Sequence, residues 1–323
     1  MVCARRVAVN EAPPGRRGAC CGGACVWVSI VQSFEGTASG EVLRETSERG
    51  SAGGGAPRVA ASSYLNTAPL VWSFARGRRR GEVELLTDTA PARCADMLAR
   101  GQVEAALVPV IEYQRLPETA VVPGVCVGAR REVHSVVLVT RGARLEEVGS
   151  VALSIESRTS AALVEVIFRE FLGRAPRLEP FVPQLADMLD RHDAALVIGD
   201  PAMTFERAGL RVYDMAALWR EHTGLGFVFA MWMAQRGASR GVRRVDFAAA
   251  RDEGLAGVEE IATAYESELG RPRAELVRYL TENISFTLDE ELRAGLELFF
   301  RLAHKHGVVE SLRPLKFLGT DVD

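Results

Sequence analysis

A chain of 323 residues is long enough for two lobes of ordinary domain size, each burying its own core. With 48% hydrophobic and 25% charged residues it has the profile of a soluble globular protein, and a formal net charge of -3 excludes the basic surface of a nucleic-acid binder. It has no run of about 18 apolar residues, which excludes a transmembrane helix and predicts no membrane partner.

Residues 1–56 are rich in Gly, Ala, Ser and Arg and carry neither the helical nor the strand apolar rhythm. They are expected to be a disordered extension, or sequence translated upstream of the true start. A secretory leader fits poorly, because Gly22, Gly23 and three cysteines interrupt the would-be apolar stretch. Cys3, Cys20, Cys21 and Cys25 crowd into this segment, whereas a disulfide framework spreads its cysteines through the fold. No histidine or second cysteine pair stands at zinc-ligand spacing, so no metal is expected.

From Pro57 onward, strand and helix patterns alternate. A buried strand is predicted at 59–62, then a polar loop and a helix through Leu70 and Trp72. A second strand at 83–86 precedes a helix that starts at Pro91 and stops at Gly101, and a third strand follows at 104–108. This alternation predicts an α/β fold with a parallel sheet. Two long apolar runs, 133–140 and 227–233, read as crossings between lobes. Between them lies a second unit with strands at 151–155, 178–182 and 194–198 and helices at 159–172 and 185–190. Helices are predicted over 247–269, 273–281 and 289–304. The expected organisation is one lobe from 57–135 plus 230–323, a second from 136–229, and a ligand cleft between them at the strands' carboxyl ends.

Polar residues gather at four such ends. Tyr64, Asn66 and Thr67 follow the first strand, and His134 and Ser135 open the first crossing. Ser157, Arg158, Thr159 and Ser160 join a strand to a helix, and Gly199 and Asp200 follow another strand. The third group has the clearest physics: Ser157 or Thr159 can cap the helix, whose free first-turn N–H groups suit a carboxylate. Asp200 reads as the cap of the helix after it. By strand alternation Ser135 and His134 face opposite ways, so only one of them lines the cleft. A Ser-His-Asp triad, a phosphate loop and a GxGxxG motif are all missing from the sequence.

Taken together, Ser63 to Leu70, Ser157 to Ser160, the Ile198-Gly199-Asp200-Pro201-Ala202 turn and the stretch from Trp219 through Thr223 to Ala230 resemble the chorismate dehydratase family of the futalosine route to menaquinone. The resemblance covers about residues 57–310; Gly226 stands where the family pattern has proline. It implies a two-lobed, periplasmic-binding-protein-like (type II) fold with two crossing strands and a C-terminal helical segment. It further implies a cytoplasmic lyase, monomer or homodimer, that converts chorismate to 3-[(1-carboxyvinyl)oxy]benzoate and water without cofactor or metal.

On that basis Asn66 and Ser135 are the expected catalytic pair. Tyr64, Thr67, Ser157, Arg158, Thr159, Ser160, Gly199 and Asp200 are the expected substrate contacts. The base is left open, a carboxylate of the substrate included. Two alternatives remain: the 1,4-dihydroxy-6-naphthoate synthase of the same pathway, which favours a cleft histidine, and a non-enzymatic small-anion binding protein.

Overall fold

The computed structural model describes residues 55–238 and 240–319, all within one compact unit. The readings of the first 54 residues, the four-cysteine cluster and the leader included, lie outside the described residues. Among the described residues no helix is long and apolar enough to cross a membrane.

Ten strands form two five-stranded sheets. The first holds β1 (Arg58–Ser62), β2 (Glu84–Asp88), β3 (Ala105–Pro109), β4 (Thr119–Ala129) and β10 (Phe227–Gln235), in the order β2-β1-β3-β10-β4. The second holds β5 (Val136–Thr140), β6 (Ser150–Ser154), β7 (Arg177–Phe181), β8 (Ala194–Ile198) and β9 (Arg211–Asp214), in the order β7-β6-β8-β5-β9. Both sheets are mixed rather than wholly parallel. Each has one antiparallel strand in fourth place, β10 in the first and β5 in the second. Inner strands such as Ala-Ala-Leu-Val-Ile (194–198) are buried on both faces and so read as unbroken apolar runs. The edge strand β7 tolerates Pro180, because a prolyl nitrogen has no ladder bond to make there.

The chain passes between the sheets twice, directly ahead of β5 and of β10: at residues 130–135, and through the helix Met215–Thr223 with the turn after it. One carboxylate ties the two passages together. Asp214 accepts the Ala216 and Ala217 amides, capping that helix, and also those of Val133 and His134. Burial pushes its pKa up despite four amide donors. Within the second passage, Trp219 donates to the Gly226 carbonyl at 3.1 Å. Gly226 is pressed against the C-terminal helix Glu290–Lys305, where a Cβ on Gly295 would lie 2.0 Å from the Gly226 oxygen.

Two strands differ from the sequence reading. β4 was not predicted because Pro123-Gly124, with Gly124 at φ 71°, reads as a turn; in the fold the dipeptide sits in an edge strand whose register is irregular against β10. β9, four residues long, is too short to carry a rhythm. The predicted helix over 247–269 is two, Phe247–Ala256 and Val258–Leu269, divided at Gly257.

Candidate active site

The carboxyl ends of β1, β3, β6 and β8 converge on one cleft. Tyr64, Asn66 and Thr67 enter it from the turn after β1, Ser157, Thr159 and Ser160 from the start of the helix Arg158–Val166, and Gly199 from the end of β8. Its apolar walls come from Pro91, Leu107, Val127, Val136, Ile198 and Phe229. About 60 Å³ is open inside, so the lobes stand close together.

Several bonds fasten one lobe to the other around this space. The Tyr64 hydroxyl donates to Glu156 Oε2 at 2.9 Å, and the Leu65 amide donates to the Asp200 carboxylate at 3.1 Å. The Ile111 amide donates to Thr159 Oγ1 at 3.2 Å. Arg158 reaches Glu112 at 3.0 Å and Asp96 at 2.6 Å, and Glu112 is nearly sealed from solvent. Gly199, at φ 68° and ψ -152°, lies under the Tyr64 ring; a Cβ there would approach it to 2.6 Å.

Three expectations change here. Arg158 stands back from the cleft, because the two carboxylates of the first lobe neutralise it there. Asp200 is not the cap, since Gly199 holds that position and the Asp200 carboxylate turns across to Leu65. Burial raises its pKa to about 7, with Glu268 adding repulsion while the Leu65 amide pulls the other way. Ser157 makes no capping bond. Among the described residues neither the Ser157 nor the Ser160 hydroxyl has a partner, yet neither is sealed off, so both are available to a ligand. The helix amides beside them have no intrahelical acceptor. Hydroxyls, free N–H groups and the helix dipole together suit one carboxylate.

The Thr67 hydroxyl is consumed within its own turn by the Ser62 and Tyr64 carbonyls, so it shapes the loop that presents Asn66. Ser135 is fully buried and does not line the cleft. Its Oγ accepts from the Tyr279 hydroxyl at 2.7 Å, and Tyr279 is hydrogen-bonded in turn to the Asn66 side chain. The expected pair is thus joined through a third group, whose burial drives its own pKa far up. His134 takes the opposite side, at φ 58°, with its ring near Glu132 and away from the cleft. No group of three metal-ligating side chains exists among the described residues.

Sequence reasoning missed Glu156 and Tyr279. Glu156 adjoins the recognised Ser157–Ser160 segment, and a titratable side chain at a strand end was the available signal. Tyr279 carried none, because it lies in a helical pattern where an aromatic reads as core.

A profile of a family described as menaquinone biosynthesis matches residues 57–305. The chain belongs to the menaquinone biosynthesis family. The chorismate dehydratase of Thermus thermophilus is 32% identical over 255 residues, covering 73% of this chain and 91% of that protein. Among solved structures, protein AF1704 of Archaeoglobus fulgidus aligns with a TM-score of 0.63 at 18% identity, over 78% of this chain and 98% of its own. The periplasmic aliphatic sulphonate binding protein SsuA of Escherichia coli gives 0.54 at 16%, over 84% and 96%. At such identities the likeness is one of fold, and the fold is periplasmic-binding-protein-like. For this member of the menaquinone biosynthesis family, the matched span opens at the residue before β1.

Proposed function

We propose that this chain is a carbon–oxygen lyase of the cytoplasm that dehydrates chorismate to 3-[(1-carboxyvinyl)oxy]benzoate. The observation that carries the reading is a slot with apolar walls that is also lined by Ser157 and Ser160, whose hydroxyls have no partner among the described residues, at a helix start with free amides. Such a slot suits a ring bearing a carboxylate. The 32% identity to the Thermus enzyme supports the choice of substrate.

Chorismate has a ring proton on the carbon bearing the enolpyruvyl ether and a hydroxyl on the neighbouring carbon. Removing the proton and expelling the hydroxyl as water makes the ring aromatic, so the driving force lies in the substrate and the step is redox-neutral. What remains for the protein is to hold the carboxylates, orient the leaving hydroxyl and exclude water. Ser157, Ser160 and the first helix amides hold one carboxylate. Asn66, fixed by Tyr279, orients the ether or the departing hydroxyl, and Ser135 acts through Tyr279. All these groups belong to one chain, so a monomer is competent and a homodimer need not share a site.

Glu156 is the one acidic side chain lining the cleft among the described residues, and Glu156→Gln locates the proton acceptor. A loss of about 10²–10⁴ in turnover places that role on Glu156. Turnover within a few-fold of wild type places it on the substrate's own carboxylate.

The deciding assay incubates purified protein with chorismate and follows products by chromatography and mass. Loss of one water with formation of the enolpyruvyl-oxy benzoate is the expected result. Unchanged chorismate with folded protein sinks the proposal. The naphthoate-forming alternative would draw on a cleft histidine, and His134 points away from the cleft.

A further inference from the structure

A second cavity adjoins Tyr279. It measures about 380 Å³ and shares no lining residue with the cleft. Tyr279 belongs to its wall, and the Tyr279 hydroxyl belongs to the Asn66–Ser135 link. Arg207, Arg271 and Arg278 all line it, against a single carboxylate, Glu275. Arg271 donates to the Met203 carbonyl and lies 3.6 Å from Glu275. Arg207 and Arg278 are exposed, and among the described residues neither guanidinium has an ion pair or a side-chain hydrogen bond.

Three guanidinium groups around one cavity repel one another unless an anion sits between them. Their planar forks match carboxylate and phosphate oxygens two at a time. The arginines also come from both lobes: Arg207 follows β8, whereas Arg271 and Arg278 flank or end the C-terminal helix Arg273–Arg278. The lining charge of three arginines and one glutamate calls for a ligand with at least two negative charges.

We propose that this cavity is a binding site for a small polyanion bearing carboxylate or phosphate groups, held by Arg207, Arg271 and Arg278 and separate from the cleft. The site does not depend on the identity of the cleft's substrate, so its test is a binding measurement. Titration calorimetry of the full chain uses citrate and, separately, inorganic pyrophosphate, each at an ionic strength matched with sodium chloride.

At least one of the two binds at one per chain. The Arg207→Ala/Arg278→Ala double variant weakens that binding at least tenfold, whereas Ser157→Ala/Ser160→Ala changes it less than twofold. Preference for citrate assigns a polycarboxylate ligand, and preference for pyrophosphate assigns a phosphorylated one. Both arginines are exposed and make no ion pair among the described residues, and the one ring contact, Arg207 over Phe205 at 5.6 Å, is with a chain neighbour, so the double variant keeps the wild-type unfolding midpoint and its loss of binding reports on the cavity. The proposal is overturned if neither probe gives heat above the chloride control, if binding survives loss of both arginines, or if chorismate displaces the probe competitively.

Discussion

Tyr279→Phe removes one oxygen atom from the link between the fully buried Ser135 and the cleft residue Asn66. The Ser135 oxygen, with no exposure to solvent, loses the donor now at 2.7 Å, and the Asn66 amide loses its anchor. Leaving buried polar groups without partners costs about 1–3 kcal/mol. For a folded body of this size that amounts to roughly 2–4 °C in Tm for each kcal/mol. Stability alone does not separate a positioning role from simple packing, so the assay is a double-mutant cycle read in two ways. Tyr279→Phe, Ser135→Ala and the double variant are compared by thermal unfolding and by chorismate turnover. Removing both partners takes away the unmatched group, so the double variant is less damaged than the sum of the singles, with a coupling of about 1–2 kcal/mol. Turnover of Tyr279→Phe falls about tenfold or more in kcat, with a smaller change in KM, because the carboxylate-holding groups at Ser157 and Ser160 are untouched. Additive singles together with wild-type kcat for Tyr279→Phe would refute the link.

Three further outcomes follow from the same geometry. Arg158→Ala strips the nearly sealed Glu112 of one of its two arginines and unfastens Asp96, so stability falls by about 1–3 kcal/mol and chorismate binding weakens; unchanged melting and unchanged KM would count against an inter-lobe role. Asp200 holds its proton in the folded state up to about pH 7 but loses it near 4 when unfolded, so its contribution to stability is full below about pH 4, declines as pH rises to about 7 and is flat above. At about 1.4 kcal/mol per pKa unit the decline is at most about 4 kcal/mol; Asp200→Asn removes it, and parallel stability–pH curves for variant and wild type would contradict the assignment. Gly295→Ala drives a methyl group to 2.0 Å from the Gly226 carbonyl and destabilises by about 1–3 kcal/mol, as chemical denaturation will measure.

Much of the framework was legible because strand and helix periods are local properties. Ala194–Ile198 and the proline-started, glycine-stopped helix Pro91–Ala99 follow from the residues alone. β4 was hidden by Pro123-Gly124, since the sequence does not say that this dipeptide will fall at a break in the register between an edge strand and β10. The cleft segments were legible as polar residues at strand ends, but which atoms face the ligand was not. Arg158 looks like an anion binder until Asp96 and Glu112, from 62 and 46 residues away, arrive beside it. Ser135 looks catalytic by position, yet its link to Asn66 runs through a tyrosine 144 residues downstream, a relation no local pattern encodes.

The placement of β10 has a consequence for assembly. It lies between β3 and β4, although those two are neighbours in sequence and β10 comes about a hundred residues later. The second sheet is complete once residue 214 has emerged, while the first still has a gap one strand wide between β3 and its edge strand β4. A chain emerging from its N-terminus therefore finishes its inserted lobe before its leading one. Until residues 227–235 slot in, β3 and β4 face each other across unpaired backbone, a sticky seam of the kind that recruits strands from other chains. Chains cut short before Phe227 should aggregate, whereas a fragment spanning the inserted lobe alone has no such open seam.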